Sequence, residues 1–152
     1  MTYPTMAVAN AFIKRAREGR LSDLSPMKLQ KLLFFAQSWH LKWHGEPLID
    51  DIFCRWKYGP VIPAIYHEFK HYRNGDIDRY GSFVSPYGAI EPIVPDNDKQ
   101  TWGVIDEVIR AYGSYTGSQL SSITHQDGSA WHKTGGADDG PISNNDLARY
   151  IR

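Results

Sequence analysis

The sequence predicts a mainly α-helical chain, a compact single-domain helical bundle of about five to six helices with a small β element. Three observations predict it. The segment LSPMKLQKLLFFAQSWHLKWHG surrounds a continuous apolar pattern with helix start and stop signals. Residues 98–113 repeat their apolar positions at helical spacing. Period-two alternation, the mark of a strand, is confined to a few residues around Cys54. The length of 152 residues suits one domain over residues 1–152, and 41% hydrophobic with 13% aromatic residues is a globular composition.

Taken in order, residues 5–18 place Val8, Ala9, Phe12, Ile13 and Ala16 in one arc and Asn10, Lys14 and Arg17 opposite. That predicts a short amphipathic helix, stopped at Gly19. Ser25 is a natural N-cap, Pro26 suits the first helical position and Gly45 ends the next helix. Along it, Leu29, Leu32, Leu33, Ala36, Trp39 and Trp43 form a wide apolar stripe, and Met27, Phe34 and Leu41 form a second on the far side. Apolar residues on two sides predict a central helix covered on both. Lys28 and Lys31 fall away from the core stripe, with Gln30 on its flank.

Ile52, Cys54 and Trp56 alternate with Phe53, Arg55 and Lys57, which predicts a short strand with Cys54 as a buried, inert thiol. YGP breaks it, with Gly59 supplying an unusual backbone turn and Pro60 opening a helix over VIPAIYHEFKHYR. NGDID ends that helix. Residues 76–97 are irregular, and extended pieces at Phe83–Val84 and Ile90–Val94 are expected to pair with the strand near Cys54. Asp98 caps the next helix, in which Trp102, Ile105, Val108, Ile109 and Tyr112 share a face. A shorter helix over 116–124 follows, then the loop DGSAWHKTGGADDG. Ser143 begins the last helix, with Asp146 standing where a capping box has Glu.

Lysine plus arginine number 17, as do aspartate plus glutamate, so no global charge draws the chain to nucleic acid or acidic membranes. One cysteine forms no intramolecular disulfide. The N-terminal charges follow the apolar run, whereas a signal peptide puts them before it, and no run is long enough to span a bilayer. The expectation is a cytoplasmic protein.

HEFKH, residues 67–71, matches the H-E-x-x-H zinc pattern. On a helix, Val61, Ile62, Ile65, Phe69 and Tyr72 share one face and the two histidines point the other way, toward solvent. A catalytic zinc needs a third ligand and a shaped cavity; Asn74 and Ile77 occupy the positions where a metzincin has glycine and histidine. His40 and His44 form another i,i+4 pair without a completing ligand set, so His40 reads as a hydrogen-bonded core histidine. No P-loop, dinucleotide fingerprint or nucleophile elbow occurs, and GGADDG reads as a turn. No metal, cofactor, small-molecule substrate or enzymatic activity is expected.

Three stretches carry a more specific likeness: MKLQKLLFFAQSWHLKWHGEPLIDD, WKYGPVIPAIYHEFK and GSQLSSITHQDGSAWHKT. Within them, Lys28-Leu29-Gln30-Lys31-Leu32, Gly45-Glu46-Pro47-Leu48, Trp56-Lys57-Tyr58-Gly59-Pro60-Val61, Leu120-Ser121, Thr124-His125 and Trp131 follow one another in the pattern of the Panacea domain family. The chain resembles these SocA-like and GepA-like proteins over residues 5–150. The resemblance implies a bacterial or prophage antitoxin of a type II-like toxin–antitoxin system, which neutralises a toxin encoded by an adjacent gene by binding it directly. Some antitoxins carry an added DNA-binding segment; with the domain filling this chain, direct binding of nucleic acid is not expected.

The candidate partner-binding residues are Lys28, Lys31, Trp56, Lys57, Tyr58, Gly59, Pro60, His125 and Trp131. Basic and aromatic side chains beside a turn suit an interface, and Thr124-His125 with Trp131 is placed to close a pocket against that corner. The competing reading gives Trp39, Trp56 and Gly59 to the fold, and leaves Lys28, Lys31, Lys57 and Tyr58 open to either role. His67, Lys70 and His71 are weaker contacts on the exposed side of a packing helix. Two other functions are weighed: a proteolytic adaptor that delivers a bound protein to a protease, and a zinc-dependent hydrolase built on HEFKH.

Overall fold

In the computed structural model, which describes residues 2–152, the chain is mainly α-helical with small antiparallel sheets. Helices α1 (Thr5–Arg17) and α2 (Pro26–His44) come first, then strands β1 (Phe53–Trp56) and β2 (Gly59–Val61). Helix α3 (Pro63–Phe69) runs into a 3-10 turn at Lys70–Tyr72, and β3 (Phe83–Ser85) and β4 (Gly88–Ile90) follow. The C-terminal part comprises α4 (Lys99–Tyr112), α5 (Gly117–Thr124), α6 (Ala130–Lys133), β5 (Pro141–Ile142) and α7 (Asn144–Tyr150). Among the described residues no helix is long and apolar enough to cross a membrane.

Helix α2 is the centre, packed against α1, α3, α4, α5 and α7. Ser25 Oγ accepts the Lys28 amide at its start and Gly45, at φ 73°, closes it. Leu29, Leu32, Leu33 and Ala36 are fully buried on it, with Phe34 and Phe35 nearly so; each large side chain so buried contributes about 2–3 kcal/mol. Its polar residues up to His40 are buried as well, because every side of the helix is covered until its last turn. Gln30 Oε1 accepts the Ile62 amide and its Nε2 donates to Ile62 O. Gln37, two turns on, accepts the amides of Leu48 and Ile49 through Oε1 and donates to Ile49 O. Each amide side chain thus acts as a strand edge for a segment crossing the helix, which satisfies backbone groups that burial would otherwise orphan.

Several expectations need correction. Lys28 and Lys31 are each 1% exposed, not turned away from the core. Lys28 Nζ donates to Ser22 O and Gly113 O at 2.6 Å each, so a lysine that a one-faced helix would expose is here a crosslink. Asn10 is likewise buried on α1, bonding both the amide and the carbonyl of Gly81. Trp43 is exposed at the last turn of α2, beyond the elements that cover the helix.

The strand at 53–56 alternates as expected, but in the opposite phase. Phe53 and Arg55 are the buried pair, Ile52 is exposed, and Cys54 and Trp56 are half-buried. The sheet order is β2-β1-β5, antiparallel, with Cys54 opposite Val61, Trp56 opposite Gly59 and Phe53 opposite Ile142. Both edges of β1 are therefore taken, which leaves 83–94 nothing to pair with there. Residues 83–85 pair instead with 88–90, as an exposed hairpin. Pro60 lies inside β2, and the helix opens at Pro63. Seven α-helices stand among the described residues; the extra one, α6, is four residues long, too short to show a period, and is capped by Ser129.

Candidate functional site

Trp56 and Gly59 face each other across a two-residue turn, Lys57-Tyr58. This corner is anchored one carbonyl at a time by side chains from α5, α6 and α2. Trp131 Nε1 donates to Trp56 O at 2.9 Å. His125 Nε2 meets Lys57 O at 2.7 Å, and Ser121 Oγ donates to Tyr58 O at 2.6 Å. Lys31 Nζ donates to Pro60 O at 3.1 Å, from the other side. Gly59 sits between these supports at φ 114°, where a Cβ would lie 2.6 Å from Thr124 Oγ1 and 3.0 Å from Lys31 Cε. Only glycine fits both the backbone conformation and the gap. The His125 ring, packed edge-on to Trp131 with centroids 4.1 Å apart, bonds Ser121 O through its other nitrogen.

In front of the corner lies an open cleft of about 910 Å³. Met27, Val61, Ile65 and the rings of Trp56, Tyr58 and Tyr66 supply its apolar surface. The Trp56 and Tyr66 rings meet edge-on at 5.2 Å, and Tyr58 and Tyr66 are largely exposed. Lys31, Arg55, Lys57, Lys70 and Arg73 line it too, against Asp138 and Asp139. Arg55 and Asp138 cancel: the guanidinium grips the carboxylate at 2.7 and 3.1 Å and donates from Nη1 to Thr134 Oγ1 and Pro141 O. That pairing holds the Asp138 carboxyl below the usual carboxylate range. The GGADDG loop is thereby fixed against β1. Arg73 and Asp139 are two of the three non-glycine residues with positive φ among those described, a strain that tends to gather at functional sites.

Burial pushes the Lys31 ammonium down from 10.5 to about 7, since desolvation favours the neutral amine and no carboxylate offsets it. Lys28 is also lowered by desolvation, but Asp23 and Asp76 oppose the shift. The Cys54 thiol is pushed up, chiefly by burial.

The structure therefore divides the candidate residues. Lys31, Trp56, Lys57 and Tyr58 line the cleft. Gly59, Pro60, His125 and Trp131 shape and brace it from behind. Lys28 is remote from this work, tying the segment before α2 to the end of α4. Sequence reasoning missed Arg55, Asp138, Tyr66 and Arg73. A signal for Arg55 was present, for it shares its strand phase with Phe53.

The HEFKH histidines are exposed, and Glu68 Oε2 accepts the Ser82 amide at 2.6 Å, which ties down the chain before β3. Among the described residues no group of three or more His, Cys, Asp or Glu is placed to hold a metal ion. His40 is a buried histidine bonded to Glu46 O at 2.6 Å.

Residues 29–132 match the family described as Antitoxin SocA-like, Panacea domain. The chain is similar to Antitoxin SocA of Caulobacter vibrioides (strain NA1000 / CB15N), 32% identical over 130 residues, which cover 82% of this chain and 66% of that protein. No solved structure matches.

Proposed function

The chain belongs to the SocA-like Panacea domain family of antitoxins, and on that premise we propose that it neutralises a cognate toxin by binding it directly. Family membership supports an antitoxin role. The finer reading is that the toxin is encoded by an adjacent gene, that the pair works as a type II-like system in the cytoplasm, and that the chain acts without catalysis, as one domain over residues 1–152.

The observation that carries this reading is where the family match falls. Residues 29–132 hold the Lys31 floor, the Trp56–Pro60 corner and the Ser121, His125 and Trp131 braces. The cleft in front of that corner presents aromatic and cationic side chains with exposed tips, the composition in which interface hot spots are enriched. The cleft is the surface by which the toxin is held.

Co-expression tests the reading. The product of the adjacent gene should arrest growth alone, and this chain should restore growth and co-purify with it. A toxic product that is neither bound nor neutralised contradicts the reading.

A further inference from the structure

We propose that the cleft takes an acidic, apolar segment of the toxin, with a carboxylate seated over Lys31 between Lys70 and Arg73 and an apolar side chain against Trp56 and Tyr66. The inference rests on the reading that the chain binds a toxin, and it names the chemistry of the part that enters.

Charge balance inside the cleft carries it. With Arg55 and Asp138 satisfied by each other, four basic side chains remain among the lining residues, Lys31, Lys57, Lys70 and Arg73, against the single carboxylate of Asp139. The whole chain is formally neutral, so this excess is local. None of the four is in an ion pair among the described residues.

Lys31 makes the argument specific. Its residue is 1% exposed yet lines the cleft, and its Nζ has one acceptor among the described residues, Pro60 O at 3.1 Å. An ammonium has three donors, and a buried cation with spare donors is costly unless an anion meets it. An incoming carboxylate supplies that partner and restores the charged form that burial disfavours. The apolar floor adds the second requirement, because Met27, Val61 and Ile65 offer nothing to a purely polar segment. A volume of about 910 Å³ is at the upper end for an enclosed ligand and suits a few residues of a peptide chain.

The test titrates the adjacent gene's product, and overlapping synthetic peptides of it, into the purified chain. Wild type is compared with Lys70→Glu/Arg73→Glu, with Lys31→Met, and with Tyr87→Lys on the β3–β4 hairpin outside the cleft. The expected result is that the exposed double reversal weakens binding by about tenfold or more, as loss of charge complementarity does, while Tyr87→Lys leaves it unchanged. The peptides that bind should carry aspartate or glutamate beside an apolar residue, and lose binding when that acid becomes its amide. Lys70 and Arg73 are exposed, so the double variant keeps its melting temperature and decides the matter even if Lys31→Met fails to fold. Binding of the product undiminished by the reversal, or selection of basic peptides, overturns the inference and leaves the antitoxin reading standing. A toxic product that is neither bound nor neutralised removes both.

Discussion

Lys31 Nζ donates to Pro60 O at 3.1 Å, joining the central helix to the second strand of the hairpin that forms the cleft. The bond places a nearly inaccessible ammonium among apolar side chains, and the folded chain bears a cost for holding it charged.

That cost depends on pH. The folded Lys31 gives up its proton at about 7 and the unfolded residue at 10.5, so between these values the unfolded chain binds more protons. The contribution of this residue to stability therefore rises with pH from about 7 toward 10.5, by on the order of 1 kcal/mol per pH unit, and is flat below the window. Urea unfolding of wild type and Lys31→Met at several pH values should show a steeper rise in the wild type than in the variant, which keeps only the contribution of Lys28; parallel pH profiles would refute it.

Gly59→Ala is expected to destabilise the chain by about 2–3 kcal/mol. The new Cβ would stand 2.6 Å from Thr124 Oγ1 at a backbone φ of 114°, so neither side of the gap can open without releasing a brace. Urea midpoints measure it, and a change inside experimental error would contradict the account of the corner.

Much of the architecture was legible because it depends on local signals. Ser25, Asp98 and Ser143 each cap the helix they precede, and the two apolar stripes of α2 announced a helix covered on both sides. What was not legible is where long polar side chains end. Lys28, Lys31 and Asn10 read as surface residues, and Gln30 as a flank residue, because a helical wheel assumes one wet face. Their burial depends on carbonyls and amides far along the chain, at Gly113, Ile62, Pro60 and Gly81. The hairpin at 56–59 was hidden for a different reason: Lys57-Tyr58 is not among the dipeptides that favour a two-residue turn. Side chains of α5 and α6 hold it from outside. The family pattern named Trp56, Lys57, Tyr58, His125 and Trp131, and the structure divides them into a lining and its supports. Arg73 and Asp138 became visible only when the loops that carry them were in place.

Trp131→Phe tests the brace without emptying the space behind the corner. Loss of the indole N–H leaves Trp56 O without its 2.9 Å bond, at a cost of about 1 kcal/mol. The urea midpoint should fall accordingly, and toxin affinity should fall with it, since the corner loses definition. Unchanged affinity in a destabilised variant would confine Trp131 to the fold.

Glu68→Gln separates the two readings of HEFKH. Glutamine keeps a side-chain oxygen for the Ser82 amide that Glu68 Oε2 accepts at 2.6 Å, so stability and toxin neutralisation should both be retained. A hydrolase that used Glu68 as its general base would lose activity completely.

The most direct test of the cleft as the binding surface is amide hydrogen exchange on the chain alone and mixed with the adjacent gene's product. The account predicts new protection at Trp56–Gly59 and along Tyr66–Asn74, with the β3–β4 hairpin unchanged. Protection on the hairpin with the cleft exchanging as before would contradict it.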